Sequence, residues 1–378
     1  MSTQTKDPPA MNAGPFGLEA LTRRFVQLAL SERYFLLLLS FGFLLVGATF
    51  ENAGVARWIG FMLAGYSAVA NDSIQTIGTF IASNEKQKWW VLWLFIGGLF
   101  LATATVGWLN FGGDVSFGRL TTKGFDQAPQ SFGFLQVAAP LFLMVLTRLR
   151  MPVSTTFLLL SSFATKPSGI GKVMVKSLSG YVVAFACAFA VWVVFSKIME
   201  ERFKGEAHPA WRVFQWISSG ALWCVWIAHD AANVAVYLPR SLSLVEFLAF
   251  SGTIFAGLGV LFYMRGEGVQ ELVNEKSGVV DVRAATVIDF VYGVVLFAFT
   301  VVNPVPMSTT WVFLGLLGGR ELAMALRGTS DRSAGFALKL CLKDVSLAGV
   351  GLIVSLVIAM AVNDGVFQLV MEGVGLAN

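Results

Sequence analysis

The sequence predicts an all-α integral membrane protein built from inverted-topology repeats, with two re-entrant helical hairpins and broken transmembrane helices. Three observations predict it. Only 13% of the residues are charged, against 56% hydrophobic, and the mean hydropathy is +0.70, whereas soluble domains carry about 25% charged residues. Apolar runs long enough to cross a hydrocarbon core of roughly 30 Å as helices recur along the whole chain. Two polar motifs, each written twice and in the same order, lie inside those runs, which marks an internal repeat.

Residues 1–33 read as a cytoplasmic arm. They lack the layout of a cleavable signal, in which an apolar run directly follows a short basic start. Residues 1–15 read as disordered, and over 16–30 the residues Phe16, Leu18, Leu21, Phe25 and Leu28 recur at helical spacing around Arg23 and Arg24, the pattern of an amphipathic helix on a membrane surface. An extra transmembrane helix occupies 34–52. Repeat 1 spans 53–200, with full apolar runs at 89–109 and 180–198, and repeat 2 spans 201–364, with runs at 245–264 and 345–362. Residues 365–378 form an external tail.

Each repeat also holds an interrupted apolar stretch, at 133–164 and 285–320. Its two arms are too short to cross singly, so each stretch reads as a hairpin that enters and leaves on one side. Three full crossings per repeat then turn the second repeat upside down relative to the first. Lys and Arg concentrate in cytoplasmic loops, and with the N-terminus inside, most of the 27 fall on inner segments. Arg57, Arg119, Lys123, Lys166, Lys172, Lys176 and Arg240 fall on outer ones.

The first duplicated motif is "AVANDSIQTIG" from Ala68 and "WIAHDAANVAV" from Trp226, which pairs Asn71 with His229, Asp72 with Asp230 and Gln75 with Asn233. A carboxylate inside an apolar segment is costly and by default functional. The polar neighbours and surrounding small residues fit a helix that unwinds to offer oxygens to a cation. The second motif is "PVSTT" from Pro152 and "PMSTT" from Pro306. Proline suits the first helical turn and Ser or Thr caps it, so Ser154, Thr155 and Thr156, and likewise Ser308, Thr309 and Thr310, read as starts of half-helices. Their amides, hydroxyls and dipoles favour an anion. Arg148 and Arg150, just before the first pentapeptide, add positive charge or reach toward a wet vestibule. Asp289, aligned with Gln136, is a weaker cation candidate. Two aspartates and an oxyanion outweigh the charge of two helix ends, so cations must accompany the anion.

At "VANDSIQTIGTFIAS", "PVSTT", "AHDAANVAVYLP" and "PMSTT" the chain resembles the inorganic phosphate transporter (PiT) family, from about Gly65 to Arg327. The family carries two Asn-Asp-x-x-Asn motifs and two Pro-x-Ser-Thr-Thr motifs in this order. The resemblance implies an inverted-repeat secondary transporter of the cell (inner) membrane. It implies uptake of phosphate, or in some members sulfate, driven by sodium ions or protons, and a homodimer. The N-terminus would be cytoplasmic and the C-terminus external. It carries the anion role onto the six Ser and Thr residues and the cation role onto Asn71, Asp72, Asp230 and Asn233, with Asp72 and Asp230 as ligands if sodium is the driver. This sequence departs from the pattern at Gln75 and His229, where Asn is usual, at Phe157 and Trp311, where His often follows the threonines, and at "WLFIGGLF", which lacks the usual acidic residue. The imidazole of His229 beside Asp230 makes transport expected to depend on pH more steeply than with Asn there, the alternative being a neutral ring that donates to a neighbouring carbonyl in place of the amide.

Cys187, Cys224 and Cys341 are odd in number, far apart and set in apolar sequence, which points to packing and against a disulfide framework or metal cluster. Two histidines argue against a metal enzyme, and the small positive charge does not mark nucleic-acid binding. No resident cofactor is expected. An anion channel would use the same half-helices. An intramembrane aspartyl protease would need paired aspartates but leaves the duplicated Ser-Thr-Thr without a role.

Overall fold

In hydrocarbon each backbone N–H and C=O needs a partner within its own segment, and a helix supplies one locally. Among the described residues the chain forms helices and no strand. The computed structural model describes residues 32–121, 127–149, 153–163, 167–203, 205–264, 281–302, 307–330 and 332–373, without side-chain placement at 71–74, 167–169, 200, 300–302, 369 and 373. The amphipathic helix expected over 16–30 lies outside the described residues, as do Arg150, Pro152 and Pro306.

The chain divides after Leu45. The first unit contributes most of α1 (Arg33–Thr49), whose Tyr34, Leu37, Phe41 and Leu44 are exposed apolar side chains. The second unit holds two series of helices in the same order. The first series runs α2 (Ala53–Ser67), a π-helical turn π1 (Ala68–Asp72), α3 (Ser73–Ser83), α4 (Trp89–Asn110), α5 (Phe134–Arg148), a second π segment π2 (Thr156–Leu160), α6 (Ser161–Phe163) and α7 (Pro167–Arg202). The second runs α8 (Ala210–Ala235), α9 (Leu244–Tyr263), α10 (Val282–Val302), α11 (Thr309–Arg327) and α12 (Ala334–Val362). Where the sequence suggests a tail, a further helix α13 (Asp364–Gly373) forms instead. Asn363 Oδ1 accepts from Gly365 N at 3.1 Å at its start, and Val366 is buried.

Packing partners recur with the order. Helix α2 packs on α5 as α8 packs on α10, π2 and α6 lie against α12 as α11 lies against α7, and α4 packs on its counterpart α9. Among the described residues six helices are long and apolar enough to cross a membrane: Ala53–Ala70, Trp89–Asn110, Ile170–Met199, Leu244–Tyr263, Val282–Phe299 and Ala334–Val362. Their outward faces carry Leu94, Val106, Val182, Val194, Leu248 and Val260, all exposed. Apolar surface on this scale suits lipid rather than water.

The first acidic motif sits on π1, where the helix is wound wider than α. The second does not interrupt its helix: α8 continues through His229, Asp230 and Asn233 to Ala235. The opening expected at both motifs is therefore replaced by a π turn at one and an unbroken α-helix at the other. Pro140 inside α5 has no amide proton to give the carbonyl of Gln136 one turn back. The hydroxyl of buried Tyr237 donates to that carbonyl at 2.8 Å instead.

Close approach of α11 to α7 rests on Gly315 and Gly319, since a Cβ at either position would run into the carbonyl oxygens of Tyr181 and Phe185. Small residues four apart let membrane helices pack backbone to backbone. Gly319→Ala is expected to cost about 1–3 kcal/mol, seen as a lower melting temperature in detergent. Gly349→Ala on α12, where a Cβ meets open space, should leave the melting temperature unchanged or slightly raised.

Candidate functional site

Both Ser-Thr-Thr segments are buried and form helix starts. At the second, Ser308 is the N-cap of α11, its Oγ accepting from Trp311 N at 3.3 Å. Its own N–H donates to Ser177 Oγ on α7 at 2.8 Å. At the first, Ser154 Oγ accepts from Phe157 N at 3.2 Å in the same geometry. The serines therefore spend their hydroxyls on capping, which leaves the threonines to face the interior.

The two starts meet each other. Thr156 Oγ1 donates to the carbonyl of Met307, between Pro306 and Ser308, at 3.2 Å. Phe157 and Trp311, equivalent residues that follow the two threonine pairs, pack edge to face with centroids 6.5 Å apart. Thr155 Oγ1 is buried with no hydrogen-bond partner among the described residues. Thr310 is buried beside Thr309.

The acidic motif of the second half joins them directly. Thr309 Oγ1 donates to Asp230 Oδ2 at 2.6 Å and Asn233 Nδ2 donates to Asp230 Oδ1 at 2.7 Å. Asn233 sits one turn on from Asp230, which is why its amide reaches the carboxylate. Its Oδ1 is buried without a partner among the described residues. Tyr292 on α10 donates to the carbonyl of Thr309 at 3.1 Å. His229 Nε2 lies 3.0 Å from the carbonyl of Leu296, also on α10. Opposite a carbonyl oxygen that nitrogen is the donor, so the ring acts there as an amide N–H would.

In the first half, Asn71 and Asp72 lie on π1 with their side chains outside the described residues, and Gln75 is half-buried on α3. Ala68 and Val69 of π1 border the same cavity as Asp230, a space of about 30 Å³ whose walls otherwise include Phe100, Trp223 and Phe250. Arg148, the last residue of α5, is exposed, unlike the six Ser and Thr residues.

Asp289 is a stronger feature than its faint sequence signal. It is buried on α10, its Oδ1 accepting from Thr79 Oγ1 on α3 at 2.6 Å and its Oδ2 from Ser219 Oγ on α8 at 2.5 Å. Neither hydroxyl belongs to a duplicated motif, so only the folded chain shows the clasp. Two basic residues assigned to outer segments also lie inside. Arg119 is 2% exposed and its Nε donates to the carbonyl of Ala228 at 2.5 Å, while Lys176, next to Ser177, is buried on α7. A run of residues with no apolar periodicity conceals such burial, because loop charges ordinarily face solvent.

With this geometry in view, the fold has a precedent. No family model matches the sequence, and no curated protein matches it. A solved structure described as "The sodium-dependent phosphate transporter" matches with a TM-score of 0.53 at 18% identity, over 84% of this chain and 99% of that one. The likeness is one of fold.

The capping geometry separates serine from threonine. Ser308→Ala is expected to lower stability by about 0.5–2 kcal/mol, and Ser308→Gly by only a few tenths. Thr309→Val, which strips a donor from a buried carboxylate, should cost about 1.5–3 kcal/mol. Thermal unfolding of the purified protein in detergent checks the ranking.

Proposed function

We propose that the chain is a secondary active transporter that couples uptake of inorganic phosphate, or a kindred tetrahedral oxyanion, to a sodium or proton gradient. The observation that carries the reading is the meeting of the two threonine-bearing helix starts, one of which bonds directly to a buried carboxylate. Thr309 bonds to Asp230 and Thr156 reaches the backbone of the other start, with Thr155 Oγ1 unpartnered beside them. Helix starts and hydroxyls suit an oxyanion, and intramembrane carboxylates suit a cation. A soluble-enzyme reading has no use for this pairing in a chain with six candidate spans.

The recurrence of helix order and packing partners supports reading the two series as inverted repeats. On the same reading, α5 to α6 forms a re-entrant hairpin with its helix start at the tip, whereas α10, at 21 residues, is longer than the short arm expected of the second hairpin and could cross by itself. Ser154, Thr155, Thr156, Ser308, Thr309 and Thr310 form the anion cradle, the serines by holding the helix ends and the threonines by contact. Asn71, Asp72, Gln75, His229, Asp230 and Asn233 form the cation half. A homodimer in the inner membrane, with the N-terminus cytoplasmic, belongs to the same proposal, and the likeness to a sodium-dependent phosphate transporter favours phosphate and sodium.

Proteoliposomes test it. An inward sodium gradient should drive radiolabelled phosphate above its external level, and Asp72→Asn should abolish that accumulation. A proton gradient acting alone would name protons as the driver, and stronger competition by sulfate would move the substrate assignment. Downhill flux with no uphill accumulation would identify a channel and overturn the reading. Thr155→Val should weaken phosphate affinity by roughly ten- to a hundredfold, the cost of losing a hydrogen bond to a charged group.

His229 Nε2 donates to Leu296 O as an amide would, which favours a neutral stand-in for the amide over steep pH dependence. Wild type and His229→Asn should show the same uptake profile between roughly pH 5.5 and 8. A profile that flattens in the variant would restore a proton-coupling role for the ring.

A further inference from the structure

The loop from α4 toward α5 is built to place a charge. Over Phe111, Gly112, Gly113, Asp114 and the residues to Leu120, Asp114 accepts from Ser116 N at 2.7 Å, Ser116 Oγ at 2.8 Å and Gly118 N at 3.0 Å. Ser116 Oγ in turn accepts from Leu120 N at 3.1 Å. Gly112, Gly113 and Gly118 have φ of 61°, 92° and 72°, and Phe117 follows them into the left-handed region at 57°, a conformation that costs a non-glycine residue energy. The coil is pinned to the segment before α9, where Gly113 O accepts from Leu242 N at 2.9 Å and Gly112 O accepts from Ser241 Oγ at 2.7 Å.

This scaffold directs Arg119 inward. Its Nε bonds to the carbonyl of Ala228, two residues before Asp230, which sets the guanidinium among the buried groups Asp230, His229 and Lys176. A guanidinium keeps its proton in a protein, so its positive charge is permanent. Asp230 meanwhile already accepts a hydrogen bond at each oxygen. The cavity beside it is lined by Ala68, Val69, Phe100, Trp223 and Phe250, a wall that gives few of the roughly six oxygens a hard cation takes.

We propose that Arg119 is the resident counter-cation of Asp230, so that the second half of the site carries a fixed positive charge and only the first half, at the Asp72 motif, takes a mobile one. The inference rests on the transporter reading and refines its charge balance. A fixed cation in one half lowers by one the number of cations that must travel with each anion. It also gives a reason for the departures at His229 and in the apolar wall: a half-site with its own charge does not need a full set of cation ligands.

The ratio of charge to phosphate flux in proteoliposomes reads this balance whichever cation is the driver. Arg119→Gln is expected to carry about one further elementary charge per phosphate than wild type, because the uncompensated carboxylate then draws in a mobile cation. Arg119→Lys should keep the wild-type ratio. An unchanged ratio in Arg119→Gln would overturn the proposal. Should Arg119→Gln be too unstable to reconstitute, melting temperatures in detergent decide. The double variant Arg119→Gln/Asp230→Asn should lose markedly less than the two single variants summed, since it leaves neither charge alone. Additive losses would count against the pairing. Absence of phosphate flux in wild type with a non-additive cycle would sink the transport reading while the Arg119–Asp230 pairing stood.

Discussion

A carboxylate placed among apolar helices must be answered from within the protein, and the bond from Thr309 Oγ1 to Asp230 is the answer on which this structure turns. It brings the start of α11 against the C-terminal part of α8. Tyr292 then ties α10 to the same threonine through its carbonyl, and Ser177 ties α7 to the neighbouring serine through its amide. Three helices converge on the tripeptide that begins α11 because each has a polar group there that hydrocarbon would leave unsatisfied. The same logic acts a second time at Asp289, where Thr79 and Ser219 draw α3 and α8 onto α10.

Such convergence requires backbones to come close, and that is the task of the small residues. Gly315 and Gly319 let α11 lie along α7 at a spacing that no side chain permits. Once α11 is there, Trp311 reaches Phe157 of the opposite start. The aromatic pair follows the buried threonines of both starts, and in such surroundings, where the local dielectric is low, each polar contact is strengthened.

The charge distribution follows from the same enclosure. Arg119 and Lys176 are buried in a region that also holds Asp230 and His229, so the interior carries both signs. A glycine-rich loop with an aspartate at its centre is an economical way to bring an arginine to that depth, because left-handed turns coil the backbone tightly and Asp114 satisfies the amides that the coil exposes.

By itself the sequence determined the helical class, the membrane setting, the doubled order of elements and the identity of the two polar motifs. Each of these is written locally. Apolar run length follows from bilayer thickness, Ser154 and Ser308 announce caps by position, and Asp72 and Asp230 stand out because charge is rare in apolar sequence. Asn233, one turn from its aspartate, is legible from helical spacing alone. What only the tertiary structure decided depends on residues far apart in the chain. Thr309 meeting Asp230, Thr156 meeting Met307, the clasp on Asp289 and the inward turn of Arg119 all join segments whose approach no local pattern encodes. The same holds for the choice between opening and continuing a helix. The motifs at Asp72 and Asp230 look alike as strings, yet one lies on a π turn and the other on an unbroken α-helix. Backbone conformation there is set by what packs against it, and a duplicated sequence placed in two different surroundings need not repeat its shape.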